Sequence, residues 1–172
     1  TVGVRWDDHS TAGTAQTYRF TQLFRLDETG TKIHGSSGRG FKAPSVAQSS
    51  TFFFLGDPTL APEFSKGWDV GIGQVLFGNV TLDLTYFRND FRDLIVFDFP
   101  TFSLQNVGLA ESSGVELTAY VQLTCGSSLA ASYTYTDTEN LVTRTQLLRR
   151  PRNKASLSFH HRFYDDRASL NA

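Results

Sequence analysis

The strongest constraint on the fold is an alternation of apolar with small or polar side chains. In residues 107–123 the odd-numbered positions are mostly Val, Leu and Ala, whereas the even-numbered positions are Gly, Ala, Ser, Glu, Thr, Tyr and Gln. Successive side chains of a β-strand point to opposite faces, so this pattern predicts a strand with one apolar face. Similar patterns occur in five other segments: residues 18–26, 68–72, 80–86, 128–136 and 155–163. With the end of another strand at residues 2–6, we predict about seven strands and the start of an eighth.

The predicted connections alternate between short and long. The short ones contain Gly, Asn or Asp, as hairpin turns do: residues 27–30, 78–79, 124–127 and 164–167. The long ones are residues 7–15, 42–63, 98–105 and 137–148. Short turns at one end and long loops at the other are typical of an outer-membrane barrel. No apolar run approaches the roughly 20 residues of a membrane-spanning helix, but a barrel strand does not need one.

A soluble β-sandwich is the alternative for alternating strands. Its solvated face is typically rich in Lys and Glu, whereas the polar face here is mostly Ser, Thr, Gly and Gln. Aromatic residues also gather near the predicted strand ends, as interfacial girdles require. We therefore predict an all-β fold, an antiparallel up-and-down transmembrane β-barrel present as a partial arc of about seven to eight strands. The outward residues are predicted to be Leu117, Ala119 and Val121, and the inward ones Thr118, Tyr120 and Gln122.

The composition argues against several functional classes. The formal net charge of −1 gives nucleic-acid binding no electrostatic support. His160 and His161 are adjacent on a predicted strand, so their side chains point to opposite faces and cannot chelate one metal ion. His34 lies in a strand with no partner evident in the sequence. No serine has the setting of a catalytic nucleophile. We predict that the protein is not an enzyme and has no cofactor and no metal site.

The predicted loops offer more candidates. Phe52, Phe53 and Phe54 form one apolar cluster, and Phe97 and Phe99 belong to a second. At the mouth of a barrel, exposed aromatic residues indicate a ligand or partner surface, although packing within the loop explains them equally well.

A basic cluster, LLRRPR at residues 147–152, enters the last long strand. Its arginines could bind phosphate or carboxylate groups. The alternative is pairing with lipopolysaccharide or with nearby acidic residues.

Several motifs resemble the TonB-dependent outer-membrane receptors. They are GRGFKAPS at residues 38–45, GDPTLAPE at 56–63, GW at 67–68, LTYFRNDFRDLIVF at 84–97 and NVGLAESSGVE at 106–116. The resemblance implies a bacterial outer-membrane barrel of about 22 strands around an N-terminal plug. It also implies that residues 1–172 are a fragment of the barrel domain, without the plug and the terminal strands. TonB would then drive import through the missing N-terminal region.

Within this family, Asp93-Leu94-Ile95 and Leu147-Leu148-Arg149-Arg150 are most similar to the vitamin B12 (cobalamin) transporter. That likeness implies that Arg149 contacts the substrate. The other motifs are shared with siderophore receptors, so we expect cobalamin first and a ferric siderophore second. A passive porin or an adhesin-like barrel is the further alternative. The expected partners are this small-molecule substrate, outer-membrane lipid and lipopolysaccharide, and TonB.

Overall fold

The computed structural model describes residues 1–9, 13–50, 56–124, 126–163 and 167–172. It contains one antiparallel sheet of nine strands, and strands adjacent in sequence are adjacent in space. The strands are β1 (Val2–His9), β2 (Gly13–Leu26), β3 (Thr31–Lys42), β4 (Glu63–Leu76), β5 (Val80–Asp98), β6 (Ser103–Thr124), β7 (Ser127–Asn140), β8 (Asn153–Phe163) and β9 (Ala168–Asn171). One short helix, α1 (Val46–Ser49), interrupts the β3–β4 connection. In the described part of the chain, no helix is long and apolar enough to cross a membrane.

The all-β, antiparallel prediction is confirmed, but the strand count and two loops differ from it. β3 is a complete strand that the list of alternating segments omits, although His34 is placed in a strand. Gly35, Ser37 and Arg39 interrupt the face that carries Ile33 and Phe41. Two of the predicted long loops are shorter in the structure. β1 continues to His9 and β2 begins at Gly13, and β5 ends at Asp98 while β6 begins at Ser103. The β3–β4 and β7–β8 connections are long, at residues 43–62 and 141–152.

The strand register separates two faces along the whole sheet. Thr118 pairs with Asp83 on one side and Ser132 on the other, whereas Leu117 pairs with Leu84 and Tyr133. Side chains of directly paired residues lie on the same face. The face that carries Thr118 and Tyr120, here called the inner face, lines a cavity of about 610 Å³. The opposite, apolar face is called the outer face, so the predicted directions of these residues agree with the register.

The apolar side chains do not form an internal core. Among the described residues, the only buried apolar ones are Ala15 and Ala110. Large residues of the outer face are open instead; Leu84 is 48% exposed and Leu157 is 69% exposed. An apolar surface of this extent requires a nonpolar surrounding, and a bilayer provides one for a sheet with paired strands.

Glycines on the inner face of β4 let side chains from β3 and β5 meet above it. Asp83 lies 2.9 Å from the Lys32 ammonium and 3.0 Å from His34 Nε2, although β4 runs between these residues. A Cβ at Gly71 would collide with the His34 ring, and one at Gly73 would collide with Lys32. The structure therefore supplies a partner for His34 that lies 49 residues away in sequence.

The β4–β5 hairpin depends on a glycine in the left-handed region. Gly78 has a φ of +72°, and no heavy atom lies within 4 Å of a Cβ built there. We expect Gly78→Ala to lower the free energy of unfolding of the intact barrel by about 1 kcal/mol, because an L-residue is strained at this φ. Urea unfolding in detergent micelles, followed by tryptophan fluorescence, measures the change.

Gly3→Ala is the matched control. A Cβ at Gly3 would also meet open space, apart from one backbone oxygen at 4.0 Å, but Gly3 does not have a positive φ. A loss of stability as large in Gly3→Ala as in Gly78→Ala would contradict this explanation.

Candidate ligand-binding cleft

A cleft of about 680 Å³ opens at the end of the sheet that carries the long connections. One wall comes from the β5–β6 hairpin and the other from the β7–β8 loop. Three of the residues predicted from sequence, Phe97, Phe99 and Arg149, line this cleft together. The other three, Phe52, Phe53 and Phe54, lie outside the described residues.

The β5–β6 hairpin presents an aromatic cluster. The Phe97 ring meets Phe99 edge-on with centroids 5.0 Å apart, and it meets Phe102 in the same way at 5.2 Å. The Asp98 carboxylate holds the tip, since it accepts from the Thr101 hydroxyl at 2.5 Å and from the Thr101 N–H at 3.3 Å. Phe97 thus packs within the loop and also lines the cleft. Phe99 is 58% exposed and keeps an open surface at the cleft.

The β7–β8 loop begins with a compact turn built on Asn140. Its side-chain oxygen accepts from the N–H groups of Val142 at 2.9 Å and Thr143 at 3.2 Å. Its backbone N–H donates to the Thr145 carbonyl at 2.7 Å. This turn directs the rest of the loop over the cleft, where Arg149 stands exposed with a φ of 58°.

Two arginines and one acidic residue, Asp98, are the charged residues that line the cleft. No ion pair joins Arg149 or Arg150 to an acidic side chain in the described part of the chain. An exposed guanidinium without an acidic partner can accept an anionic ligand through paired N–H donors. The residues that line the cleft thus combine aromatic surface with positive charge.

Hydrogen bonds join two of the sequence motifs beside the cleft, the one at residues 56–63 and the one at 106–116. The Asn106 carboxamide donates to the Ala61 carbonyl at 3.0 Å and accepts from its N–H at 2.9 Å. It also donates to the Asp93 carbonyl at 2.6 Å. Glu63 accepts from the Ile95 N–H at 3.1 Å and pairs with Lys42 at 3.0 Å. These contacts hold the end of the β3–β4 connection against β5 and β6.

Asp57 closes the turn at the start of the same segment. The hydroxyl and then the backbone N–H of Thr59 donate to its carboxylate, and they hold the pKa of Asp57 below its ordinary value. Because the pKa is lowered in the folded protein, the ionised Asp57 carboxylate stabilises this turn at neutral pH. This stabilisation is lost as the pH falls through the lowered pKa.

Sequence reasoning missed these positioning residues. Asn106 and Glu63 occur in the quoted motifs, but nothing local shows that they bond across 45 and 32 residues. His160 and His161 lie on opposite faces, as expected: His160 lies beside Asn171, whereas His161 contacts Ser127. The described residues contain no group of three or more side chains suited to a metal ion.

Residues 1–171 match the sequence model of the family described as TonB dependent receptor-like, beta-barrel. The chain belongs to the TonB-dependent receptors. This membership identifies the sheet as part of a bacterial outer-membrane β-barrel. The family consists of receptors and transporters rather than enzymes, in agreement with the prediction from sequence.

Solved structures of other receptors share the fold. The siderophore receptor PirA from Pseudomonas aeruginosa is 26% identical, with a TM-score of 0.75 over 93% of this chain and 30% of its own. A mutant of the ferric enterobactin receptor of the same organism, in complex with enterobactin, is 22% identical, with a TM-score of 0.75 over 99% of this chain and 29% of its own. The copper transporter OprC is 18% identical, with a TM-score of 0.69 over 86% of this chain and 24% of its own. The chain therefore spans less than a third of each of these receptors.

The contact between the two motifs can be tested through Asn106. In Asn106→Ala, the Ala61 N–H loses its acceptor, and its hydrogen exchange in the intact receptor is expected to accelerate about 30-fold, which corresponds to about 2 kcal/mol of local stability. Amide hydrogen exchange with mass spectrometry over residues 56–63 measures this.

Asn79→Ala is the control, because Asn79 donates a single 3.3 Å side-chain bond in a distant turn. Unchanged exchange at residues 56–63 in Asn106→Ala would show that other contacts hold the segment.

Proposed function

We propose that the chain is part of an outer-membrane receptor that captures a scarce metal chelate at the cleft and imports it with energy from TonB. In this proposal residues 1–172 form part of the barrel domain. The plug and the segment that contacts TonB lie elsewhere in the complete protein. Family membership supports active uptake over a passive porin or an adhesin-like barrel.

The observation that best supports this proposal is that aromatic surface and unpaired guanidinium groups line one cleft. Phe99 offers an exposed ring, and Arg149 and Arg150 offer charge. A ferric siderophore with phenolate or catecholate groups presents both anionic oxygens and aromatic rings. Charged hydrogen bonds and ring packing would recognise those two features. The name of PirA, the most identical of the three receptors compared, also supports a ferric siderophore as the first candidate.

Cobalamin is the second candidate. It rests on the likeness of Asp93-Leu94-Ile95 and Leu147-Leu148-Arg149-Arg150 to the cobalamin transporter and on the exposure of Arg149 at the cleft. In this alternative, the phosphate and amide oxygens of cobalamin accept hydrogen bonds from Arg149. Both candidates use the same cleft, so one set of variants tests them together.

The inner face supports a path below the cleft. Ser132 and Ser156 share a hydrogen bond at 2.7 Å on this face, and Thr118 pairs beside them. Small hydroxyl side chains leave space and offer both donors and acceptors to a hydrated ligand. The Lys32–Asp83 pair adds fixed charges to the same wall.

Arg149→Gln tests the assignment of the cleft. We expect it to weaken binding of ferric enterobactin or cyanocobalamin, whichever the intact receptor binds, by about 10- to 100-fold. That loss corresponds to a charged hydrogen bond of about 1.5–3 kcal/mol. Equilibrium titration of the purified receptor with each ligand, followed by the quenching of tryptophan fluorescence, measures it.

Arg144→Gln is the matched control. Arg144 lies in the same loop, with a φ of 57°, but pairs with Glu139 and does not line the cleft. Equal weakening in the two variants would assign the effect to the loop conformation. Wild-type affinity in Arg149→Gln would remove this arginine from the site.

The aromatic wall is tested by Phe99→Ala against Phe102→Ala. Each substitution removes one edge contact to Phe97, but only Phe99 lines the cleft. We expect about tenfold weaker binding of an aromatic siderophore in Phe99→Ala, as for loss of one ring contact. A loss of the same size in Phe102→Ala would instead reflect the packing of the hairpin.

A further inference from the structure

The β5–β6 hairpin extends beyond the rest of the sheet as a two-stranded ribbon. The ladder between β4 and β5 ends at Arg92, and the ladder between β6 and β7 reaches only as far as Ala110. Residues 94–107, here called the ribbon, therefore pair only with each other among the strands that the structure describes. The ribbon carries Phe97 and Phe99, which form the aromatic wall of the cleft. An isolated two-stranded ribbon is marginally stable in water, so other contacts must hold this wall in place.

A residue in the left-handed region stands at the base of the ribbon. Asp93 has a φ of 56°, whereas the residues on either side of it pair with β6 in regular antiparallel register. An L-residue at this φ is strained within a strand, so neighbouring groups must hold it there. The Asn106 carboxamide does so, since it donates to the Asp93 carbonyl at 2.6 Å.

The side chains of Glu63 and Asn106 attach the ribbon to the end of the β3–β4 connection. The Glu63 carboxylate accepts from the Ile95 N–H at 3.1 Å, at a position beyond the end of the β4–β5 ladder. Asn106 exchanges two hydrogen bonds with the backbone of Ala61, as a paired strand residue does. With the bond to Asp93, it uses both N–H donors and its carbonyl oxygen. These bonds are partly shielded from water, so their loss is costly.

We propose that Glu63 and Asn106 are positioning residues for the ligand, because they hold the ribbon so that its aromatic wall faces Arg149 across the cleft. The inference rests on the proposed function of the cleft. It goes beyond that proposal because, in the described part of the chain, Glu63 is not one of the residues that line the cleft. A ligand that bridges the two walls requires both in place, so its apparent affinity falls with the fraction of receptors in which the ribbon is held. Glu63 thereby sets ligand affinity without contacting the ligand.

The first measurement reports the position of the ribbon without any ligand. It uses the intact receptor with its native cysteines replaced by serine. Spin labels are attached at Pro100→Cys on the ribbon tip and at Val142→Cys on the β7–β8 loop, since both residues are exposed. Pulsed electron paramagnetic resonance then measures the distances between the labels. We expect one narrow distribution in the otherwise unmodified receptor, and a broader, displaced one in Glu63→Ala and in Asn106→Asp.

The second measurement is the ligand affinity of the same variants without labels. Glu63→Ala removes the acceptor of the Ile95 N–H, and Asn106→Asp removes both donors but keeps the size of the side chain. We expect each to bind ferric enterobactin or cyanocobalamin, whichever the wild type binds, about tenfold more weakly, as follows if the ribbon is held in about one receptor in ten. Glu63→Gln should keep both the affinity and the narrow distribution, because a carboxamide oxygen still accepts from Ile95.

Lys42→Gln is the matched control. Lys42 pairs at 3.0 Å with the same Glu63 oxygen that accepts from Ile95, but its side chain is largely exposed. Removal of this charge leaves the Ile95 bond in place, so neither measurement should change. A loss of affinity in Lys42→Gln as large as that in Glu63→Ala would assign the effect to charge rather than to the ribbon, and would overturn the proposal.

Two further results would overturn it: an unchanged distance distribution in both Glu63→Ala and Asn106→Asp, or wild-type affinity in Glu63→Ala. The variant Arg149→Gln separates this failure from that of the proposed function. Weaker binding in Arg149→Gln with wild-type affinity in Glu63→Ala would keep the cleft and reject the positioning role. Absence of binding of both ligands to the wild type would instead reject the proposed function, and this inference with it, even if the ribbon is displaced.

Discussion

The rest of the structure depends on the hydrogen-bond ladder between neighbouring strands. A bilayer core offers no water to unpaired backbone groups, so each strand requires a partner along both edges. Strands β2 to β8 have two partners each, whereas β1 and β9 have one partner each among the described residues. The same requirement gives the sheet two faces with different surroundings. It explains why Leu84 can be exposed while Asp83 beside it is half-buried among polar groups.

Within that ladder, small side chains decide what the inner face can do. Gly71 and Gly73 leave space above β4, so Asp83 reaches Lys32 and His34 across an intervening strand. At the end of the sheet that carries the long connections, side chains that hydrogen-bond to backbone groups hold the connections in place. Asn106 and Glu63 carry this role for residues 56–63, and Asn140 carries it for the β7–β8 loop. The cleft lies between the β5–β6 hairpin and the β7–β8 loop, with Phe99 and Arg149 on its walls.

Much of the fold could be predicted because the alternation is strong where a strand separates lipid from a polar interior. It weakens in β3, where Gly35, Ser37 and Arg39 take outer-face positions between Ile33 and Phe41. It also weakens beyond the membrane interface, where both faces meet water, so a loop is predicted at residues 98–105 although β6 begins at Ser103. The aromatic and basic site candidates were found by residue type. Their common cleft could not be predicted, since Phe97 and Arg149 are distant in sequence and meet only through the β5–β6–β7 register.

The sequence by itself determined most of the strands, the direction of their side chains and the short turns. Each of these is a local property, set by residue type over two to ten positions. The tertiary structure alone decided which distant residues share a surface. His34 and Asp83 meet across 49 residues, and Asn106 bonds to Ala61 across 45. The physical reason is that a two-residue period specifies the face of each side chain but not its height along the neighbouring strand. That height is set by the pairing register of the complete sheet.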